Sequence, residues 1–412
     1  MTMTKTKTKT MVPLRALRAV AAVAAHGGVS GAARALHQSP SSVTRAVQRA
    51  ETMLGIKLFE RGALGMTVTA AGQVLATRAA RALHELQVAA DGLRLRGAPA
   101  STAALPRLVS DALLQALVAR AGNASESVAA AHIGLSQPAL HQALRRLEHV
   151  AKVPLFERTR VGARLNESGR WMHQQAQLAL AELRVGHEEL GRWCGGGGMR
   201  VTIGTLPMAG DVLVPQAVAL ALGAASGVEL TVKGGTYESL TQMLRTADID
   251  FMVGPLRGPA LAGDMVEEVL LVDRFVAVVR AGHPLLSLGR RASLRQLAPY
   301  AWVGPLPGTP AQVVFDRLFA DAGLPPPRVI LRAHSTTVVR SVLLAGDHVA
   351  LISPLQVRAE VQAGLLVHVS GPLAGSERAI GITQRRDAMA SSACQDVLGA
   401  LRRVAAASAS DR

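Results

Sequence analysis

The sequence of 412 residues contains only two cysteines, Cys194 and Cys394, which lie 200 positions apart. Two isolated thiols exclude a disulfide-stapled scaffold and lack the spacing of a structural zinc site. The chain also lacks an uncharged apolar stretch of about 18 residues, the length that a membrane-spanning helix requires. We therefore predict a cytoplasmic protein without membrane contact.

Sequence motifs of common catalytic sites are missing as well. There is no Gly-x-Ser-x-Gly, no His-Glu-x-x-His and no glycine-rich phosphate loop. The densest histidines, His132, His141 and His149, surround a predicted DNA-reading helix and are more simply explained as surface or DNA contacts. We predict no catalytic residues, no metal and no cofactor.

The formal net charge of +16 is concentrated near the start of the chain. Residues 1–100 carry 14 Lys and Arg against 4 Asp and Glu, whereas residues 101–198 and 199–412 each have a net charge of only +3. Basic side chains that neutralise phosphates supply much of the affinity of DNA-binding proteins, which makes this region a candidate for DNA binding. A solvated, arginine-rich surface on alanine-rich helices explains the charge equally well when charge is considered alone.

One sequence pattern occurs twice in the N-terminal half, at an offset of 97 residues. Residues 29–73 and 126–170 align without a gap and are identical at 13 of 45 positions. The shared run Leu-Phe-Glu-Arg occupies residues 58–61 and again residues 155–158. A period of this length indicates a duplicated domain rather than a solenoid repeat.

Each copy has the pattern of two helices, a tight turn and a third helix, followed by a hairpin and a long helix. Ser39 and Ser136 have the positions of N-caps that begin the third helix. In a helix-turn-helix motif this helix enters the major groove, where its polar side chains reach base edges. Its predicted DNA contacts are Ser41, Ser42, Thr44, Arg45 and Arg49 in copy one, and Gln137, Pro138, His141, Gln142, Arg145 and Arg146 in copy two.

The predicted hairpins carry further arginines that point to DNA. We expect Phe59 and Phe156 to anchor the hairpins to the core while the arginines reach phosphates or the minor groove. These arginines are Arg61 in copy one and Arg158, Arg160 and Arg164 in copy two. Each one alone is also explained as a solvated side chain, but the same order of features in both copies favours DNA contact.

Copy two carries a specific family resemblance. Its segments Ser136-Gln137-Pro138-Ala139-Leu140, Arg146-Leu147-Glu148 and Pro154-Leu155-Phe156-Glu157-Arg158 resemble the N-terminal winged helix-turn-helix of the LysR-type transcriptional regulators. Copy one resembles the pattern more loosely, because Ser39-Pro40-Ser41 replaces the usual Ser-Gln-Pro. The resemblance implies two DNA-binding domains for double-stranded DNA, and RNA polymerase is a further expected partner.

A long helix is predicted after each hairpin. Apolar or small residues recur at 75, 79, 82, 86, 89 and 93, and again 97 positions later, with the alternating steps of a paired-helix seam. The seam either packs on its own domain or pairs two helices; the resemblance favours pairing, because the family dimerises through this helix. Residues 97–106 span about 30 Å when extended. We therefore also predict that the two long helices of one chain pair, so that one chain mimics a DNA-binding dimer.

The pattern changes after the four glycines 195–198, which we interpret as a flexible hinge. From Met199 short apolar strands alternate with helices, which predicts parallel α/β sheets in two lobes with a ligand cleft between them. The segments Asp248-Ile249-Asp250-Phe251, His283-Pro284-Leu285 and Gly346-Asp347-His348 resemble the effector-binding domain of the same regulators. The resemblance implies a fold like that of periplasmic solute-binding proteins.

The predicted fold class is thus multidomain α and α/β, with two winged helix-turn-helix domains followed by a two-lobed effector domain. Its predicted segments are a disordered basic arm (1–11), the first winged domain (12–72), linker helix 1 (73–97), a linker (98–107), the second winged domain (108–169), linker helix 2 (170–194), the hinge (195–198), the effector domain (199–390; lobe I 199–258 and 360–390, lobe II 262–355) and a C-terminal helix and tail (391–412).

Strand ends and helix N-termini supply the candidate effector site. Hydroxyl groups beside helix N-termini suit a small carboxylate with an apolar body. The predicted contacts are Thr205, Leu206, Met208, Thr236, Leu306, Thr309, Ser335 and Thr336. For Thr236, Thr309 and Ser335 simple helix capping is an equally good explanation.

We predict a sequence-specific transcriptional regulator controlled by a small-molecule effector, forming homo-oligomers through its linker helices and effector domains. The alternative is an α/β ligand-binding protein or enzyme in which the helix-turn-helix repeats serve only for oligomerisation. A transport receptor is a further rival, which the DNA-binding modules and the missing signal peptide speak against.

Overall fold

The computed structural model describes residues 11–62, 65–123, 125–160, 162–191, 193, 198–207, 209–224, 227–258, 263–288 and 291–410. The chain divides into two compact units, Met1–Met199 with Arg245–Ala247, and Arg200–Leu244 with Asp248–Arg412. Residues 1–10 of the predicted arm and residues 195–197 of the predicted hinge lie outside the described residues.

The first unit opens with a complete winged helix-turn-helix module. Its elements are α1 (Leu14–His26), α2 (Val29–Leu36), α3 (Pro40–Leu54), the antiparallel strands β1 (Phe59–Gly62) and β2 (Gly65–Val68), and the long helix α4 (Ala70–Leu95). After α4 the chain forms a 3₁₀ turn (Ala100–Ala104) and a short helix α5 (Leu105–Leu108).

The second module repeats the first. Its elements are α6 (Asp111–Ala121), α7 (Glu126–His132), α8 (Gln137–Ala151), the antiparallel strands β3 (Phe156–Thr159) and β4 (Gly162–Leu165), and the long helix α9 (Glu167–Leu190). The bounds of α8 and of both strands are those of α3, β1 and β2 displaced by 97 residues. One continuous apolar core runs through both modules, from Val12 to Leu190.

The second unit contains two five-stranded sheets, one in each lobe. The first sheet has the strand order β6-β5-β7-β14-β8. Its strands and the helices near them along the chain are β5 (Met199–Thr205), α10 (Leu213–Ala224), β6 (Val228–Gly234), α11 (Tyr237–Arg245), β7 (Phe251–Pro255) and β8 (Met265–Asp273), together with β14 (Arg378–Arg385) and α16 (Ser392–Ser410) from the end of the chain.

The second sheet has the strand order β11-β10-β12-β9-β13. Its strands and helices are β9 (Val276–Arg280), α12 (Leu294–Leu297), β10 (Ala301–Gly304), α13 (Pro310–Asp321), β11 (Val329–Arg332), α14 (Thr336–Ala345), β12 (His348–Ile352), α15 (Arg358–Gln362) and β13 (Leu366–His368). Trp302 of β10 is fully buried, and its ring meets Phe315 and Phe319 of α13 edge to face, which fixes that helix on the sheet.

The predicted lobe boundaries are wrong at two strands. β8, assigned to lobe II, pairs antiparallel with β14 in the first sheet, and β13, assigned to lobe I, pairs antiparallel with β9 in the second sheet. The chain therefore crosses between lobes after Asp273 and again between β13 and β14. Both sheets are mixed rather than parallel, because β14 and β9 run antiparallel to their neighbours.

The predicted linker 98–107 is largely helical and packed, and not an extended spacer. Ala98 and Leu105 are buried, and the Thr102 hydroxyl donates to the carbonyl of Ala151 at 3.1 Å. Because the fully buried Thr102 side chain is bonded to the second module, this connecting segment is fixed against that module.

Within the described ranges no single helix is long and apolar enough to cross a membrane. One sharply bent pair, Ala100–Leu108 with Asp111–Ala121, passes the test of length and composition together.

Candidate DNA-binding and effector sites

The helix α3 presents one apolar and one polar face. Val43, Val47 and Ala50 are buried, whereas Arg45 and Arg49 are exposed and make no ion pair with the described part of the chain. The Ser39 hydroxyl accepts a hydrogen bond from the Ser42 amide at 3.2 Å and begins the helix. Of the other predicted contacts in this helix, Ser41 is exposed and Ser42 and Thr44 are half-buried, with the Thr44 hydroxyl donating back to the carbonyl of Pro40.

The helix α8 repeats this arrangement with different side chains. Its N-cap Ser136 accepts from the Ala139 amide at 3.3 Å, and Leu140, Leu144 and Leu147 are buried. All the predicted contacts of this helix are exposed: Gln137, Pro138, His141, Gln142, Arg145 and Arg146. Two of them also approach carboxylates of their own module, His141 at 3.5 Å from Glu126 and Arg145 at 3.8 Å from Glu148.

A glutamate ties each hairpin to the helix before it, buried in copy one (Glu51) and half-buried in copy two (Glu148). The Oε1 atom of Glu51 accepts from the amide of Leu58 at 2.9 Å, and the Oε1 atom of Glu148 accepts from the amide of Leu155 at 2.8 Å. The long helix then begins tightly against the hairpin, because a Cβ at Gly72 or at Gly169 would lie 2.0 Å from the preceding leucine carbonyl. The hairpin is thereby held in the same place in both copies.

The hairpin arginines of copy two lie on the surface. Arg158, Arg160 and Arg164 are exposed, whereas the side chain of Arg61 in copy one lies outside the described residues. Sequence reasoning missed Arg120, whose Nη2 atom donates to the carbonyl of Ala163 at 2.6 Å and supports this hairpin from below. Copy one has Val23 at the equivalent position, so the repeat pattern gave no signal for this contact.

The two long helices pack against each other antiparallel within one chain. All twelve predicted seam positions are buried. Arg78 of α4, with a side chain only 2% exposed, donates to Glu182 at 2.9 Å and to Glu189 at 2.9 Å, both on α9. Burial disfavours the charged form of Arg78, but the hydrogen bonds and charges of Glu189 and Glu182 outweigh it and raise the pKa of this guanidinium. The predicted pairing of the two long helices within one chain is therefore observed, and the apolar seam that the resemblance assigned to an interface between chains is covered within one chain.

At the other end of the α4–α9 interface, the backbone of α4 at Gly92 lies close to the indole of Trp171 on α9. A Cβ at Gly92 would lie 2.1 Å from Nε1 of Trp171, and this indole donates to the carbonyl of Ala89 at 3.3 Å. Arg96 closes the end by stacking over the Trp171 ring, 4.6 Å from its centroid, and by pairing with Glu167 at 3.1 Å.

Three further contacts join the start of copy one to the rest of the unit. Arg18 of α1 donates to the carbonyls of Pro106 at 2.8 Å and Val109 at 2.5 Å, and burial lowers its pKa to about 10 although the nearby charge of Asp111 opposes the shift. The Val12 amide donates to the imidazole of His187 at 2.8 Å. The connecting segment therefore binds both modules rather than merely linking them.

In the second unit some of the predicted effector residues cap helices, and others lie half-buried near the ends of strands. Thr236, Thr309 and Ser335 each accept from a backbone amide in the first turn of their helix. Thr205 and Leu206 lie half-buried at the end of β5, and Leu306 lies half-buried after β10. Met208 lies outside the described residues.

Thr336 has a role that sequence reasoning did not anticipate. Its hydroxyl donates to the carboxylate of Asp211, and the amide of Gln356 donates to Thr336 at 2.6 Å and to Asp211 at 3.2 Å. Asp211 follows the first-lobe strand β5, whereas Thr336 and Gln356 belong to the second lobe. This triad is a polar link between the lobes, and Asp211 was missed because only hydroxyl and apolar groups were sought at strand ends.

A buried ion pair holds the crossing between the lobes. Asp273 at the end of β8 accepts from Arg378 at 2.7 Å and from the Ser353 hydroxyl at 2.8 Å. Burial lowers the pKa of Arg378, against the opposing effect of Asp273. Among the described residues no group of three or more His, Cys, Asp or Glu is placed to hold a metal ion.

Comparison with known proteins agrees with both halves of the fold. The family described as "LysR substrate binding domain" matches residues 195–406, and "Bacterial regulatory helix-turn-helix protein, lysR family" matches twice, at residues 14–73 and 112–170. The HTH-type transcriptional regulator GalR of Pseudomonas putida is 33% identical over 391 residues, covering 95% of this chain and 97% of GalR. The HTH-type transcriptional regulator PcaQ of Agrobacterium fabrum is 28% identical over 292 residues and covers 94% of PcaQ but only 71% of this chain.

Solved structures share the fold at low sequence identity. A full-length OxyR variant from Pseudomonas aeruginosa has a TM-score of 0.54 at 20% identity, covering 72% of this chain and 94% of OxyR. CbnR, a LysR family regulator, has a TM-score of 0.51 at 16% identity, covering 72% of this chain and 99% of CbnR.

Winged helix-turn-helix modules joined to a two-lobed effector domain define the chain as a transcriptional regulator rather than an enzyme. It belongs to the LysR family, whose members bind DNA and small-molecule effectors and form oligomers. The predicted fold class, family and function are confirmed, and the alternative of an enzyme or ligand-binding protein is not favoured.

Proposed function

We propose that this chain acts in the bacterial cytoplasm by reading DNA with α3 and α8, under the control of a small carboxylate bound between its lobes. The observation that carries the proposal is the exposed polar face of each of these helices, opposite a buried apolar face. Effector binding changes how the lobes pack in the oligomer and hence how the DNA-binding modules are spaced. RNA polymerase is the proposed partner that responds to this change.

Arg45 and Gln142 occupy equivalent positions, 97 residues apart, in the second turn of their helices. Arginine pairs best with the O6 and N7 atoms of guanine, and glutamine with N6 and N7 of adenine. The exposed arginines 158, 160 and 164 of the copy-two hairpin are proposed to bind phosphates, which position the module without reading sequence. The remaining exposed or half-buried groups of α3 and α8 named above complete the proposed interface.

The DNA-binding part is tested with duplexes that the full-length protein selects from a random pool. Arg45→Ala and Gln142→Ala should each weaken binding to the selected duplex about tenfold or more, because each bidentate contact contributes about 1–3 kcal/mol of discrimination. Arg94→Ala is the matched control, since Arg94 is exposed on α4 and pairs with Asp91 three residues away. Unchanged affinity of both Arg45→Ala and Gln142→Ala would contradict the proposal.

For the effector, we propose that its carboxylate takes the place of Asp211. The Asp211 carboxylate accepts from the side chains of Thr336, the first residue of α14, and of Gln356, which are donors that suit a ligand carboxylate. Half-buried Leu206 and Leu306 supply apolar surface near the strand ends. Ser335 and Thr309, which cap α14 and α13, are proposed to complete the site.

Thermal shift of the full chain against a panel of small carboxylates and their matched amides tests this part. We expect stabilisation by a carboxylate and not by its amide, and a larger response in Asp211→Asn, because the competing charge is gone. Asp321→Asn, at the exposed end of α13, is the control. Equal responses to acids and amides, or an Asp211→Asn response no larger than the control, would contradict it.

A further inference from the structure

We infer that each chain reads two unlike half-sites of DNA, one with α3 and the other with α8, in a fixed order set by the pairing of α4 with α9. The inference rests on the proposed DNA binding and adds to it the kind of duplex that the chain recognises.

The geometry of the pair places the two modules about an approximate twofold axis. Early residues of α4, such as Arg78, meet late residues of α9, whereas Gly92 and Arg96 meet Trp171 and Glu167 near the start of α9. Two equivalent helices that cross antiparallel are related by a twofold rotation. A pair of winged modules related in this way matches the local dyad of duplex DNA, on which dimeric helix-turn-helix proteins bind two half-sites.

The contacts within the pair do not follow that twofold symmetry. At the offset of 97 residues, Arg78 corresponds to Gln175, and Glu189 corresponds to Gly92. Two α9 helices paired in the same way would set Gln175 opposite Glu182, which is buried, and Glu189, which is half-buried, and would leave both without this arginine. They would also place Glu189 where Gly92 lies, although Trp171 leaves no room there even for a Cβ.

Two α4 helices would pair less well than α4 with α9. Arg78 would then face Glu85 and Gly92 in place of Glu182 and Glu189, and would lose one of its two carboxylates. The interface therefore selects one helix of each kind. The packed segment 98–110, bonded to copy one through Arg18 and to copy two through Thr102, supports pairing within one chain.

The two reading helices differ at most of their exposed or half-buried positions. Along the first three turns, Ser41, Ser42, Thr44, Arg45 and Gln48 of α3 are replaced by Pro138, Ala139, His141, Gln142 and Arg145 of α8. Of the exposed or half-buried positions in these turns, Arg49 matches Arg146 and Ala46 matches Ala143. Side chains with different donors and acceptors select different bases. A chain that pairs one module carrying α3 with one module carrying α8 therefore recognises two different half-sites.

The experiment is selection from a random duplex pool by the full-length wild type, Arg45→Ala and Gln142→Ala, followed by sequencing. We expect the wild type to enrich a motif with two unlike parts, Arg45→Ala to relax base preference in one part only, and Gln142→Ala to relax it in the other. Duplexes that carry either part twice, at the same spacing, should bind the wild type at least tenfold more weakly than the natural pair.

The inference is overturned if both variants relax the same base positions, if either variant leaves the motif unchanged, or if a doubled part binds as well as the natural pair. A complete failure to enrich any sequence is a different outcome, because it contradicts the proposed DNA binding itself and the inference with it.

Discussion

The Nη1 atom of Arg78 lies 2.9 Å from the Oε2 atom of Glu182, across 104 residues of sequence and across the interface between the two DNA-binding modules. The same guanidinium donates two further bonds, through Nε and Nη2, to Glu189. Arg81 also donates to Glu182, at 2.7 Å. This buried ionic cluster joins two modules that a duplication placed in tandem.

Arg78→Gln should destabilise the first unit by up to about 3–5 kcal/mol, because it leaves the half-buried Glu189 without an arginine and the buried Glu182 with Arg81 alone. The measurement is chemical denaturation of the full chain followed by hydrogen exchange of the α4 and α9 amides, which report on the first unit alone. Arg94→Gln breaks an exposed pair and should change stability by less than about 1 kcal/mol. Equal stabilities of the two variants would show that the cluster contributes little.

Gly92→Ala should also destabilise the helix pair, although alanine is the better helix former by about 1 kcal/mol. The added methyl group would lie 2.1 Å from the Trp171 indole, so that the indole or the helix must move. Gly223→Ala is the control, because a Cβ at this helical position in α10 meets no atom within 4 Å. A lower thermal midpoint for Gly92→Ala and an unchanged or higher one for Gly223→Ala are expected; stabilisation by both changes would contradict the packing described.

Lys152→Gly should stabilise the second module by up to about 1–2 kcal/mol. Lys152 follows α8 with a left-handed φ of 61°, a conformation that costs about this amount for a residue with a Cβ. Copy one has Gly55 at the equivalent position, with φ 71°. The reciprocal change Gly55→Lys should destabilise copy one by a similar amount, and denaturation of both variants checks the sign; a loss of stability in Lys152→Gly would be the contrary result.

The second unit should lose stability as the pH falls below about 6.5, the ordinary pKa of an unfolded histidine. Burial lowers the pKa of His368 and of His283 in the folded state, the latter against the charge of Asp347. The unfolded chain then binds more protons than the folded chain, so the free energy of unfolding rises with pH across this range. His368→Leu should reduce the loss between about pH 7 and pH 5, whereas replacing the exposed His334 should not; an identical pH profile for His368→Leu and the wild type would disprove the assignment.

Local patterns explain how much of the fold was predictable. Residues only a few positions apart determine the N-caps Ser39 and Ser136, the hairpins and the seam of the long helices. Each of these patterns occurs twice, 97 residues apart, which strengthens its prediction. The Asn166 side chain caps α9 as the Thr69 side chain, 97 residues earlier, caps α4. Interactions of such short range can be predicted from the sequence.

Long-range pairing explains what was missed. β8 lies beside β14, whose residues are more than 100 positions later, so the order of strands along the chain assigned it to the wrong lobe. Asp211 meets Thr336 across 125 residues, and no local pattern marks either as a partner of the other. A signal for the helix pair did exist, since α4 places a cation, Arg78, next to its seam, and α9 places two carboxylates, Glu182 and Glu189, next to its own.

The most direct test of the paired modules is complementation between two full-length variants. Arg45→Ala and Gln142→Ala are prepared separately and by co-expression, and binding is measured on a duplex with one pair of half-sites. If the modules pair within one chain, every α4–α9 pair of modules in the mixture carries one defective reading helix. The co-expressed sample should then bind DNA no better than the separate variants. Recovery of a wild-type-like binding phase in the co-expressed sample would contradict this account, because it requires an intact module from each of two chains.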